Sequence, residues 1–316
     1  MTNQDLEILS ILPRIEYPLN YFCKSNSSQL YHYTSRSGIE GILSSDKPSL
    51  WFSQYDYLND PSERLDIESF LKRYCERKLK ERAFSKEFAE MVTSLKGQDE
   101  CYVTYKNDVD DFNVGDTKDC YTYICSFSEK SDSLPMWNYY TKSKNQDGYN
   151  IMFKPHCFRK ENGYGNGFKL ELKKVIYDDR VKNDFADILL LDISKSYDIA
   201  SLQTKKSIRV VLQRMINKFQ FVFKNDAYEY EKEVRAILRV PKDFIEDEYI
   251  SKRKFRSIGD YKIPYVSYNV PEFKYLTIMT SPTIKNVDIA LCEKIKSTGY
   301  KNVKFINSNI PFRNMF

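Results

Sequence analysis

The 316-residue sequence has few glycines and histidines, and it has no long apolar run. Ten glycines stand against 25 tyrosines and 20 phenylalanines, which argues against doubly wound nucleotide-binding folds, whose phosphate loops need glycine. The only histidines are His32 and His156, so mechanisms that need three are excluded and most catalytic metal sites are disfavoured. No stretch approaches 18 consecutive apolar residues, and no basic region followed by an apolar run opens the chain, so we expect no membrane helix and no secretory signal.

The seven cysteines are odd in number and include no CxxC pair. This pattern argues against a zinc site or a disulfide framework and favours a reducing cytoplasm. Basic residues exceed acidic ones by 49 to 44, an excess too small to diagnose nucleic-acid binding. Signatures of P-loop, serine-hydrolase, zinc-protease and kinase sites are absent. The glycines at 163, 165 and 167 are predicted to form a hairpin turn, because no helix follows them.

Alternation and helical periodicity predict short strands interrupted by helices. The predicted strands are 29–35, 50–53, 121–127, 149–153, 168–177, 229–240, 262–267, 274–280 and 302–306. The predicted helices are 37–43, a broken helix within 62–95, 131–141, 198–223 and 286–298. The first twenty residues, which contain Pro13 and Pro18, are predicted to be irregular. No repeat or linker interrupts this order, so we expect one α+β domain over residues 1–316, with a helical insertion at about 62–100.

Two early strands carry candidate site residues. In Tyr31-His32-Tyr33-Thr34-Ser35, alternation puts His32 and Thr34 on one face and Tyr33 on the other. A lone strand histidine is more often a core residue bonded to the backbone than a ligand-binding group. The next strand ends at Ser53 and leads into LNDPSE, which forms either the rim of a site or simply the cap of a helix.

Two later segments also carry candidates. Trp137 and Tyr140 are three residues apart, so they share a helix face and either stack on a planar ligand or fill the core. On a regular strand, Glu229, Glu231, Glu233 and Arg235 would point to one side. That ladder is either a solvated strand face or a site whose carboxylate stabilises an oxocarbenium-like transition state. Because stacked carboxylates repel, this pattern predicts that neutralising Glu233 leaves stability equal or slightly higher.

Several segments in this order resemble a known family. They are YHYTS with GIEGIL, LWFS with LNDPSE, CSFSE with LPMWNYY and DGYNIMF, EKEVRAIL, and INSNIPFR. The set resembles domain of unknown function 2971 from about residue 30 to residue 313. That family is in turn distantly similar to the ADP-ribosyltransferase fold. The resemblance implies an α+β fold with a mixed or antiparallel β core, a helical insertion and flanking helices.

The same resemblance implies a function and a set of site residues. It implies a cytoplasmic ADP-ribosyltransferase or NAD glycohydrolase that takes NAD as substrate and acts as a toxin or anti-phage defence effector. Glu233 is the implied catalytic carboxylate, and Glu231 matches the acidic residue that often precedes it by two positions. The implied NAD-binding residues are His32, Tyr33, Thr34, Ser53, Tyr55, Trp137, Tyr140 and Arg235. The acceptor of ADP-ribose, whether protein, nucleic acid or water, stays open, and Ser53 stands where the fold family has a tyrosine.

Two other functional classes remain open from the residues themselves. A non-catalytic nucleic-acid-binding module would use exposed aromatics with the basic segment SKRKFR at 251–256. A metal-dependent hydrolase or nuclease would use the glutamates at 229–233 with Mg²⁺. Under the transferase interpretation, we expect His32 and Glu233 to line one pocket. We also expect Trp137 and Tyr140 to contact that pocket and the loop at 132–135 to cover it.

Overall fold

The computed structural model describes residues 3–58, 65–102, 117–140, 147–158, 169–271, 273, 275–286, 288–300 and 302–311. The chain divides into two compact units, each assembled from three segments. Unit 1 comprises Met1–Lys24, Asn59–Tyr121 and Lys173–Tyr228, and unit 2 comprises Ser25–Leu58, Thr122–Leu172 and Glu229–Phe316. The helical insertion expected near 62–100 falls in unit 1, and the expectation of one domain stays a prediction.

The helices in chain order are α1 (Asn3–Phe22), α2 (Arg36–Ile42), α3 (Leu65–Lys80), α4 (Lys86–Ser94), α5 (Leu134–Tyr140), α6 (Asp179–Tyr197), α7 (Leu202–Phe219) and α8 (Ile289–Ser297). The strands are β1 (Leu30–Ser35), β2 (Ser49–Gln54), β3 (Glu100–Tyr102), β4 (Thr117–Ser128), β5 (Gly148–Phe153), β6 (Lys169–Lys174), β7 (Glu233–Pro241), β8 (Lys254–Ile258), β9 (Tyr261–Asn269), β10 (Leu276–Thr280) and β11 (Val303–Asn307). Short 3₁₀ helices occupy Tyr55–Tyr57, Pro155–Phe158 and Asp226–Glu231.

Unit 1 is built on the helices α1, α3, α4, α6 and α7, whose apolar faces meet in one core. The predicted face of α4 is confirmed, since it is buried from Phe88 to Leu95. The Ser85 hydroxyl caps this helix by accepting a hydrogen bond from the Phe88 backbone N–H. Ser201 caps α7 in the same way, so that helix begins at Leu202, four residues later than the sequence predicts.

Two helices of unit 1 differ from the sequence-based expectation. The segment predicted to be irregular forms α1, with Pro13 and Pro18 inside it. Buried Leu19 in α1 packs in the core with α6 and α7, and this burial offsets the backbone hydrogen bonds that the prolines remove. The helix α6 was not predicted, although the Asp178 side chain caps its first turn.

Unit 2 is built on a mostly antiparallel sheet in the order β11-β10-β5-β1-β4-β2-β9-β8. The β10–β11 pair is parallel, and the β1–β5, β2–β9 and β8–β9 pairs are antiparallel. β7 lies off this path and pairs with β4 and β6. The expected mixed α+β architecture with a mostly antiparallel sheet is therefore confirmed.

The predicted strand at 229–240 is wrong in its first four residues. Glu229 and Glu231 lie in a 3₁₀ helix, Lys232 has a left-handed backbone with φ of 43°, and β7 begins only at Glu233. The Lys232 N–H donates to the Glu229 carbonyl at 3.1 Å and closes the turn. The glutamate ladder therefore does not exist, and this turn avoids stacking three like charges on one strand face.

Two other motifs fall on residues that the structure does not describe. Residues 59–63 of the LNDPSE turn and the glycines at 163, 165 and 167 lie outside the described residues. Within the described part of the chain, no helix is long and apolar enough to cross a membrane.

Candidate functional site

The ladder between β1 and β4 consists of one residue pair, Tyr31 opposite Ser128. By contrast, β1 pairs with β5 along its whole length. Just beyond the single β4 pair, the His32 imidazole reaches across, and its Nδ1 lies 3.0 Å from the Ser126 carbonyl oxygen. A carbonyl can only accept, so Nδ1 carries the proton and the neutral ring keeps its lone pair on Nε2. We call this junction between β1 and β4 the seam.

His32 is packed by protein although it keeps some exposed surface. Its ring lies 5.5 Å from the Phe127 ring, and Cys125 Sγ is 3.8 Å from Nδ1. Burial lowers the pKa of His32, and the bond to the Ser126 carbonyl opposes this in part, so the ring is neutral near pH 7. This is the backbone-bonded arrangement that the sequence offered as an alternative to ligand binding. Nε2 makes no hydrogen bond to any residue that the structure describes.

Glu233 begins β7 and is buried, with only 4% of its surface exposed. Its Oε1 accepts from the Ser126 hydroxyl at 2.6 Å and from Arg235 Nε at 3.0 Å, and its Oε2 accepts from Arg235 Nη2 at 3.0 Å. Arg235 is completely buried. The prediction that Glu233 and Arg235 share a strand face is confirmed, and the bidentate pair holds the carboxylate in one orientation.

Ser126 therefore connects His32 and Glu233, two candidate residues that the sequence alone could not place together. Its carbonyl binds His32 and its hydroxyl binds Glu233, although these residues are 201 positions apart. Ser126 was not assigned a role from the sequence, and the available signal was a hydroxyl between the apolar Cys125 and Phe127. The binding of a common ligand by His32 and Glu233 stays a prediction.

Tyr140 lies close to the same carboxylates. Burial raises the pKa of its hydroxyl, and the negative charges of Glu233 and Glu231 raise it further. The Tyr140 ring stacks on Tyr33 of β1, with centroids 6.1 Å apart and planes at 28°. The Tyr33 hydroxyl donates to the Lys130 carbonyl at 2.9 Å, which fixes this aromatic pair at the seam.

Trp137 shares a helix face with Tyr140, as its spacing predicts, but it faces the core. It packs edge-on against Tyr33 at 4.7 Å and is only 1% exposed. Its indole N–H donates to Asp132 at 2.7 Å, and the Asp132 carboxylate also accepts from the Ser308 hydroxyl and the Asn309 N–H. In this conformation neither ring face is open to a stacking ligand, and the covering role expected of the 132–135 loop stays a prediction.

The remaining NAD-binding candidates are also largely buried. Thr34 and Tyr55 are buried, and the Arg235 guanidinium is bound to Glu233. Ser53 is buried too, and its hydroxyl accepts a hydrogen bond from Arg256 Nη2 at 2.9 Å. Arg256 is a partner that the sequence did not indicate, because the contact depends on the order β2-β9-β8. Among the described residues, no group of three or more His, Cys, Asp or Glu side chains could hold a metal ion.

Comparison with known protein families gives a match. Residues 136–236 match the model of a family described as protein of unknown function, DUF2971. No curated protein and no solved structure matches the chain. The matched stretch contains Tyr140, Glu231, Glu233 and Arg235. The resemblance to the DUF2971 family that the sequence indicated is therefore confirmed over residues 136–236.

Proposed function

We propose that the protein is an NAD-consuming enzyme of the ADP-ribosyltransferase type, with an ADP-ribosyltransferase-like β core. It would transfer ADP-ribose to an acceptor, or hydrolyse NAD with water as the acceptor. The observation that carries the proposal is the convergence of His32 and Glu233 on Ser126, at the point where the β1–β4 ladder ends. A cytoplasmic toxin or anti-phage effector is the role that this activity would serve, by analogy with the resembled fold.

The chemistry requires a fixed negative charge beside the ribose. When the glycosidic C–N bond breaks, nicotinamide leaves with the electron pair and positive charge develops at the ribose carbon. Glu233 is held in one orientation by Arg235 and Ser126, and a carboxylate fixed in this way is what stabilisation of that charge requires. Arg235 neutralises part of the Glu233 charge, and the nearby carboxylate of Glu231 supplies a second negative charge. A preorganised contact of this kind increases kcat by roughly 10²–10³-fold.

Tyr140 is the best-placed aromatic for the leaving group. The nicotinamide ring of NAD is cationic before cleavage, so it is attracted both to an aromatic face and to the carboxylates of Glu231 and Glu233. Tyr33 supports Tyr140 from behind. His32 Nε2, as an acceptor, suits a ribose hydroxyl. In this proposal Tyr140 provides the stacking surface, and Trp137 packs on Tyr33 and so supports the Tyr33–Tyr140 pair.

The test is nicotinamide release from NAD by the purified full chain, measured chromatographically with water, mixed protein or oligonucleotide as acceptor. Glu233→Gln alone would leave the buried Arg235 charge unpaired, so the informative variant is the pair Glu233→Leu with Arg235→Met. We expect kcat to fall by roughly 10²–10³ in this pair. Tyr140→Ala should raise KM for NAD without unfolding the protein, because this residue is only half-buried.

The matched control is Glu229→Gln, which removes one negative charge two residues from Glu231, at an exposed position. Its turnover should equal that of the parent protein. Absence of nicotinamide release with every acceptor refutes the proposal. Undiminished turnover in a folded Glu233→Leu/Arg235→Met variant refutes the assignment of Glu233.

A further inference from the structure

The edge of the sheet formed by β2, β9 and β8 carries aromatic and basic side chains on one face. Ser53 lies opposite Tyr265, and Trp51 lies opposite Ser267, in the β2–β9 ladder. Residues directly opposite one another share a face, as do residues two apart on one strand. Trp51 and Tyr265 therefore lie on the same face.

The β8–β9 ladder extends this face to the edge strand. Lys254 lies opposite Tyr265, Arg256 opposite Ile263, and Ile258 opposite Tyr261. Lys254, Arg256 and Tyr261 thus join Trp51 and Tyr265, and we call these five residues the β2–β9–β8 platform. The platform shares no residue with the set assigned to NAD chemistry above.

Two aromatic members of the platform are open to solvent, and the third, Tyr265, is half-buried. Trp51 is 42% exposed and Tyr261 is 74% exposed. The Trp51 ring lies 4.9 Å from Tyr265 with planes at 37°, and the Arg256 guanidinium lies 5.7 Å from the Trp51 centroid. Single exposed aromatics are common on protein surfaces, whereas several grouped on one face mark an interaction site, so this grouping indicates a surface for stacking planar ligands.

The basic members of the platform lack anionic neighbours. Residues 251–263 contain five basic residues and one acidic residue. Arg256 donates from Nη2 to the Ser53 hydroxyl, while its Nε is buried without a hydrogen-bond partner. Burial of the guanidinium lowers the pKa of Arg256. Within the described part of the chain, no carboxylate forms an ion pair with Lys254 or Arg256, so the platform presents uncompensated positive charge.

We propose that the β2–β9–β8 platform binds single-stranded nucleic acid, with bases stacked on Trp51, Tyr261 and Tyr265 and phosphates bound by Lys254 and Arg256. Stacking on exposed rings requires bases that are not already stacked in a duplex. Two strand spacings of about 4.8 Å separate β2 from β8, a width that suits two or three nucleotides. An acidic protein would complement the charge but would leave the aromatic faces unused.

The test is fluorescence anisotropy of labelled 12-nucleotide dT and U oligomers with the full chain in the absence of NAD, at about 50 and 200 mM salt. Both single strands should bind, more tightly than a duplex of the same length. Affinity should fall steeply with salt, with a log–log slope of about −0.7 per phosphate contact. Because NAD is absent, failure here leaves the proposed enzymatic function untouched, and the reverse also holds.

Two variants and two controls localise the binding. Trp51→Ala should weaken binding by roughly tenfold or more through lost stacking. Lys254→Ala should reduce the salt slope by about 0.7. The controls are Lys304→Ala, an exposed lysine on the opposite edge strand β11, and Tyr275→Ala, an exposed tyrosine next to β10, and both should bind like the parent.

Three outcomes would overturn the proposal. The first is no binding of either single strand at 50 mM salt. The second is equal loss in the platform variants and the controls, which would indicate non-specific charge attraction. The third is evidence for a different partner, seen either as duplex binding as tight as single-strand binding or as full competition by polyglutamate at equal charge. Since Lys254 is exposed on an edge strand, its variant stays informative if Trp51→Ala is destabilised.

Discussion

Replacing Glu233 with glutamine removes one charge from an ion pair that is enclosed by protein. Glu233 is nearly buried and Arg235 is completely buried, and two hydrogen bonds of 3.0 Å join them. A ladder of stacked glutamates predicts equal or higher stability for this change. The structure reverses that sign, because Glu229 and Glu231 are not on the strand and the group that loses its partner is the buried guanidinium.

The size of the effect follows from the burial of the pair. Removing one partner of a buried ion pair typically costs about 3–5 kcal/mol, because the other charge stays buried and uncompensated. The glutamine oxygen can still accept from Ser126 or Arg235, so we expect the lower end, about 3 kcal/mol. For a domain of about 150–250 residues, each kcal/mol lowers Tm by roughly 2–4 °C. Glu233→Gln should therefore melt roughly 6–12 °C below the parent.

Thermal unfolding followed by circular dichroism, together with urea unfolding at pH 7, measures this change. Glu229→Gln removes the same charge from an exposed pair with Lys232 and should alter stability by less than about 1 kcal/mol. Glu233→Leu with Arg235→Met removes both charges and should melt close to the parent. A Glu233→Gln variant that melts like the parent would refute the buried-pair reasoning.

Two further predictions concern His32 at the seam and the Asp132 carboxylate that binds Trp137. Burial lowers the pKa of His32 below its ordinary 6.5, so the folded state binds fewer protons than the unfolded state there. Its contribution to stability is complete above pH 6.5 and is lost as pH falls below that value. The urea midpoint should therefore fall less between pH 7 and pH 5 in His32→Gln than in the parent. An equal fall in the two proteins would contradict this. Asp132→Ala removes the acceptor shared by Trp137 and residues 308–309 and should cost about 2–4 kcal/mol by urea unfolding. The exposed Asp56→Ala is its control, and equal losses in the two variants would rule out the shared-acceptor role.

Local patterns in the sequence predict many of the elements but miss two helices. The strand β1, which carries His32, and its neighbour β5 follow alternation. Both begin and end within one residue of the predicted bounds. The prolines of α1 argue locally against a helix, and only the packing of the completed core outweighs them. The inward face of α6 includes Lys182 and Ser194 among its apolar residues, which obscures its helical period.

The candidate site depends on contacts that no local pattern contains. The spacing of Glu233 and Arg235 predicts their shared face, as the spacing of Trp137 and Tyr140 predicts theirs. The link from His32 to Glu233 requires that β4 lie beside both β1 and β7, which is a property of strand order. The break before β7 was missed because the residues 229–232 alternate like a strand, whereas the left-handed Lys232 ends that pattern.

At the seam, the polar contacts between strands depend on individual side chains as well as on the backbone. Along the main path of the sheet, four strands lie on each side of the seam, β11-β10-β5-β1 and β4-β2-β9-β8, and each set is joined internally by backbone ladders. Across it run one residue pair, the His32 bond to the Ser126 carbonyl and the Tyr33 bond to the Lys130 carbonyl. Backbone ladders survive most substitutions, whereas a side-chain bond is lost with a single codon change. Two of the polar contacts across the seam therefore depend on the identity of His32 and Tyr33, whereas the register within each half depends on backbone atoms.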